Sequence, residues 1–269
     1  MRNFYIKLSA VFPILIVAII LFMASAGGCT ALGQPGYITP DEAALNYTLN
    51  PDKTGDPETL FFDYEKIDIL LTQSIDVNIK NYCLYQDIYG DLVLLGELIN
   101  NSGVTKTNVI FTFEFVDSNG NILDYIKVPA VADYILSKGS IPFFLVYDRK
   151  ENYINLEKVK IGVDYKKYSE QFKGNPVVNT ENFRYTGNKL EIAGNIINIG
   201  QAEVEDLKLL AVFYNNKNQV IFIRKCFIEG EKLKPLASMN FKLTLFLDEY
   251  LPFYTHYRLF TFFRDALLA

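Results

Sequence analysis

The stretch Leu92–Asn100 (LVLLGELIN) returns 98 residues later as Leu190–Asn198 (LEIAGNIIN). A repeat at fixed spacing constrains a fold more than any single motif, because each copy must form the same unit. After a one-residue slip the register recovers. Val109, Phe111, Phe113 and Phe115 alternate with polar or smaller residues, and their counterparts are Leu207, Leu209, Ala211 and Phe213. Period-two alternation is the mark of a strand with one buried face. Asp117–Asn121 (DSNGN) aligns with Asn215–Gln219 (NNKNQ), each followed by an apolar pair, Ile122-Leu123 and Val220-Ile221. That pattern predicts a hairpin in which Gly120 or Asn218 takes positive φ. A last strand repeats as well, with Val159, Ile161, Val163 and Tyr165 matched by Tyr257, Leu259, Thr261 and Phe263.

Each copy therefore holds at least five short strands, too closely spaced for the crossover helix a parallel sheet needs. The expected units are antiparallel sandwiches over residues 75–168 and 177–269, touching across a short polar link, Ser169–Pro176. Aromatic content is 14%, all Phe and Tyr, which favours strands. The expected fold class is all-β.

The N-terminus points to export. Leu8–Gly28 carries no charge and follows Arg2 and Lys7. As a helix it would span about 30 Å, with the basic flank held in the cytoplasm. Ala26-Gly27-Gly28-Cys29 resembles a lipoprotein lipobox, which implies lipid attachment at Cys29. Ala26 stands where that motif has Leu, and the apolar run is long for a cleaved signal. An uncleaved transmembrane helix is the alternative. Both readings of residues 1–28 tether the body outside the membrane. Residues 29–74 read as a tether, with a helix start at Thr39-Pro40 and a segment, Glu58–Ile75, that suits either a helix or a strand.

The repeated motifs resemble the FxLYD domain of bacterial and archaeal envelope proteins. Gly96-Glu97, Asn100–Gly103 (NNSG), Phe113–Gly120 (FEFVDSNG) and Leu136–Gly139 (LSKG) carry the resemblance in the first copy. The second keeps Gly194, Asn198, Gly200 and Leu233-Lys234-Pro235, but has Ala211 for Phe, Asn215 for Asp and Leu236 for Gly. The resemblance implies two tandem immunoglobulin-like sandwiches and no defined active site.

Residues suited to chemistry are sparse. The single histidine, His256, excludes a multi-His metal site, and no phosphate loop, zinc-type Cys pair or EF-hand loop is present. Asp117–Asn121 has some flavour of a calcium loop, but a hairpin turn explains it better. Cys83 and Cys226 read as small buried hydrophobes, with an interdomain disulfide as the alternative. An enzyme would need Asp148, Asp164 or Asp248 to converge in a cleft. Tyr250–Tyr257 (YLPFYTHY) is core closure, an interdomain contact or a stacking surface. Asn46 and Asn100 stand in glycosylation sequons. A net charge of −5 argues against nucleic acid. The expectation is a non-catalytic, extracytoplasmic, membrane-tethered binding or structural protein. It has no cofactor or metal, and its partner is a protein of the cell envelope. The alternative is an envelope protein that binds a small ligand or glycan.

Overall fold

The computed structural model describes residues 64–71, 74–87, 90–132, 134–168, 172–187, 189–246 and 254–266. The expected N-terminal helix, the lipobox and Asn46 lie outside them. The chain is all-β. Its strands are β1 (Asp68–Leu71), β2 (Val77–Gln86), β3 (Leu92–Asn100), β4 (Thr105–Asp117), β5 (Ile122–Pro129), β6 (Tyr134–Ile135), β7 (Ser140–Tyr147) and β8 (Leu156–Tyr168). They continue as β9 (Pro176–Thr186), β10 (Lys189–Asn198), β11 (Val204–Tyr214), β12 (Val220–Lys225), β13 (Phe227–Ile228), β14 (Ser238–Phe246) and β15 (His256–Asp265). Short 3-10 turns at Tyr64–Lys66 and Lys150–Asn155 are the helical elements among the described residues.

The first copy stacks a β2–β3–β7 sheet on a β1–β8–β4–β5 sheet, with β6 paired to β4. Aromatic rings join the layers: Phe111 meets Phe143 at 4.8 Å between centroids, and Phe115 stacks on Tyr147 at 3.7 Å. The second copy repeats this layout, with β9–β10–β14 in place of β2–β3–β7 and β12–β11–β15 in place of β5–β4–β8. Except for β1, which lies parallel to β8, all the pairings are antiparallel. Phe113, Phe115 and Phe213 face the cores, as the alternation predicts.

The 98-residue spacing holds to the level of single backbone groups. Positive φ falls at Asn108 and Asp206, at Gly120 and Asn218, and at Lys138 and Leu236. Asn100 and Asn198 are both fully buried. The Asn100 amide donates to the carbonyls of Val104, Ile135 and Leu136, and the Asn198 amide to those of Ala202 and Leu233. Their side-chain oxygens accept from the amides of Ser102 and Gly200. In the hairpins the Asp117 carboxylate accepts from the amides of Asn119 and Asn121, and Asn215 accepts likewise from Lys217 and Gln219. Gly96 lies under the Phe143 ring, where a Cβ would come within 2.6 Å of it; at Gly194 a Cβ would meet Phe241 at 3.0 Å and, closer still, the Thr180 carbonyl oxygen.

The two copies form one unit, because several strands are buried on both faces. Inward-facing Leu94 and outward-facing Val93 and Leu95 of β3 are all buried, as are outward-facing Leu210, Val212 and Tyr214 of β11. β12 lies against β2 and β3 of the first copy, so the outer faces of the β2–β3–β7 and β12–β11–β15 sheets cover each other. The link is sewn into the second copy rather than a polar spacer. Phe172 packs against Tyr134 and Phe263, Lys173 and Gly174 donate backbone bonds to Asp265, and the amide of Gln201 donates to the Lys173 carbonyl. The first module also begins earlier than residue 75, since β1 belongs to its sheet.

Candidate functional site

Two places gather polar or aromatic groups that the cores do not explain. The first is the junction. Glu97 projects from the outer face of β3 and is 1% exposed, yet it sits between two donors. Asn81 donates to it at 2.9 Å, and Arg258 of the second copy approaches at 3.3 Å. The Tyr214 hydroxyl lies beside the same carboxylate; burial, then the charge of Glu97, pushes its pKa far up. A buried carboxylate is tolerated only when it is paired in this way. At the other end of the junction the Phe263 amide donates to the Tyr134 hydroxyl at 3.0 Å. The cavity there, next to Ala132, Tyr134 and Phe263, measures about 60 Å³. Ligand pockets run to about 300–1,000 Å³, so this cavity is too small to enclose such a ligand.

The second place is the open side of the second sandwich, between the edge strands β9 and β15. Cross-strand pairing puts Phe183 opposite Ile192 and Tyr185 opposite Leu190, so these rings belong to the inner face. They are nevertheless 42% and 52% exposed. Phe183 stacks on Tyr257 at 5.5 Å, Tyr254 packs edge-on to Phe213, Tyr185 shares a hydrogen bond with Tyr254, and Tyr257 donates to Glu181. Burial is the main cause that raises the phenol pKa values of Tyr254 and Tyr257, followed by the hydrogen bonds to Tyr185 and Glu181 respectively. Both residues therefore stay neutral, as hydrogen-bonding aromatic surface. The C-terminal tyrosine run thus contributes a half-open aromatic wall; its residues 250–253 lie outside the described residues.

The first copy treats the same positions differently. By cross-strand pairing the counterparts of Phe183 and Tyr185 are Leu84 and Gln86, opposite Leu94 and Leu92, and both are half-buried. The Tyr64–Lys66 turn packs on β2, and β1 pairs with β8 in parallel, matching Asp68–Leu71 to Lys158–Ile161. Residues 64–71 thereby close that side. They also settle the ambiguous Glu58–Ile75 segment, whose described part is a short turn followed by a strand. The second copy has no equivalent segment: β1 starts nine residues before β2, whereas the residue nine before Pro176 is Lys167, still inside β8.

The remaining sequence candidates resolve individually. Asp164 borders a surface groove of about 460 Å³ beside Asn108, Pro129 and Tyr165. Asp148 precedes the turn that leads into Leu156, from which Asp164 lies about 26 Å along β8 at 3.3 Å per residue. The two do not converge, and Asp248 lies outside the described residues. No group of three or more metal-ligating side chains is present among the described residues. Asp117 is a turn carboxylate held below its usual pKa chiefly by the Asn121 side chain. Asn100 is sealed by hydrogen bonds in the folded protein, which closes it to glycan attachment. Exposed His256 lies flat on Tyr214 at 4.8 Å. Cys226 is a buried free thiol with its pKa pushed up to about 12 by burial. Cys83 is buried among the apolar residues of β2 and β3, and because Cys226 is free the two do not pair with each other.

No protein-family model matches the chain, and no curated protein matches it. Among solved structures, red sea bream transglutaminase is similar over 72% of this chain and 29% of its own, at 10% identity and a TM-score of 0.24. The expectation that the chain is no enzyme is carried no further, and the function proposed below makes no claim about catalysis. At that TM-score the likeness brings neither fold nor reaction to this chain. Among the described residues, no helix is long and apolar enough to cross a membrane.

Proposed function

We propose that the chain is an extracytoplasmic, membrane-tethered binding or structural protein that presents two FxLYD-like, immunoglobulin-like modules as one unit. The observation that carries this reading is the uncharged run Leu8–Gly28 behind Arg2 and Lys7, joined to a repeated all-β body. Such a run suits either a lipid-modified start at Cys29 or a retained helix, and both leave the body outside. A local feature supports the immunoglobulin-like assignment. The Tyr153 hydroxyl, in the turn before β8, donates to the Tyr147 carbonyl and accepts from the Leu92 amide, much as a tyrosine corner closes such sandwiches. Sandwiches of this kind offer loops and sheet edges to partners. Fractionation of expressing cells should place the protein with the membranes, and protease added outside should digest the body while the membrane is intact. Recovery in the soluble cytoplasmic fraction would overturn the proposal.

A further inference from the structure

We infer that the open side of the second sandwich is an acceptor for an extended peptide strand from a partner protein, added parallel to β15 beside the aromatic wall. The duplication itself supplies the argument. In the first copy the homologous edge takes a four-residue parallel strand opposite Lys158–Ile161, and 98 residues on that stretch is His256–Leu259. The acceptor's backbone groups point the right way. The Ala266 amide bonds inward to Glu203 and the Phe263 amide outward to Tyr134, so by strand alternation Tyr257, Leu259 and Thr261 present their amides away from β11. Among the described residues none pairs with that stretch as a strand of its sheet; β9 lies beside it, with Phe183 and Glu181 on the Tyr257 side chain, and farther on Tyr134 caps Phe263.

Side chains fit the same occupant. The first copy's closing segment reads YEKIDILL over residues 64–71, with Ile67 buried. In the second copy Phe183, Tyr185 and Tyr257 form a surface for apolar residues at alternate positions of an incoming strand. Backbone bonds supply affinity and the alternate side chains supply selectivity, as in other strand additions. An open edge with apolar side chains is also an aggregation hazard that proteins usually blunt, so its survival calls for an occupant.

The test uses the full chain in detergent and a synthetic peptide of residues 64–71 as the surrogate strand. Saturable binding is expected, together with slowed hydrogen exchange at the Tyr257 and Leu259 amides. Leu259→Pro, which removes an outward amide from an edge strand, should weaken binding at least tenfold. Phe183→Ser, an exposed position, should do so without touching the backbone and serves if the proline variant fails to fold. The inference is overturned by no saturable binding, or by binding that both variants leave unchanged. It is equally overturned if the wall takes up soluble oligosaccharides but no peptide, or if the edge is consumed by dimerisation of the chain itself. None of these outcomes bears on the membrane tether, which fractionation tests separately.

Discussion

At the scale of single residues, the buried asparagines and one buried lysine bear the greatest consequences. Asn100 and Asn198 each hold a turn to a neighbouring strand through bonds to backbone carbonyls. Alanine at either position leaves buried carbonyls without donors, so each substitution should cost about 1–3 kcal/mol in chemical denaturation. Lys106 is fully buried; its ammonium bonds to Asp76 at 2.6 Å and lies 4.8 Å over the Tyr165 ring. Asp76 is held below its ordinary value of 3.8, first by that hydrogen bond. A carboxyl with a depressed folded pKa adds stability above its unfolded pKa and loses it as pH falls through the folded value. Thermal melts of the wild type should therefore fall below about pH 4, and Asp76→Asn should melt lower at pH 7 with a shallower acid limb. An unchanged acid limb in the variant would show that other carboxylates govern it.

At the scale of strands, the core face follows from alternation. Phe113→Ala and Phe213→Ala should each destabilise by about 3–5 kcal/mol, measured by urea unfolding. Near-native stability of either variant would mean that the ring is not in the core. This much was legible in the sequence: the strands, their 98-residue partners, the hairpin turns with positive φ at Gly120 and Asn218, and the inward set on β4 and β11. The covering of the outer faces was also written there but read too simply. Leu92–Leu95 and Leu209–Tyr214 are unbroken apolar runs, which signal strands buried on both sides, where a one-faced strand would alternate throughout. What stayed illegible depended on comparing the copies in space. Phe183 and Tyr185 lie on the inner face by pairing yet are 42% and 52% exposed at the sandwich edge, which no local pattern marks. Glu97 belongs to the Gly96-Glu97 strand motif in sequence; its pairing with Arg258, 161 residues away, is something no local pattern could announce.

At the scale of the whole molecule, the apolar contact between the two sandwiches makes them one body carrying an open edge on one side. Val93, Leu95, Leu210 and Val212 are as deeply buried as core residues, and interfaces this apolar resemble a core cut in two more than a transient domain contact. The copies should unfold together, because exposing that face on one would strip the cover from the other. Differential scanning calorimetry of the full chain in detergent tests this most directly. A single reversible transition with equal calorimetric and van't Hoff enthalpies is the predicted result. Two resolved transitions, each with the enthalpy of a single sandwich, would contradict it and return the copies to independent modules on a string.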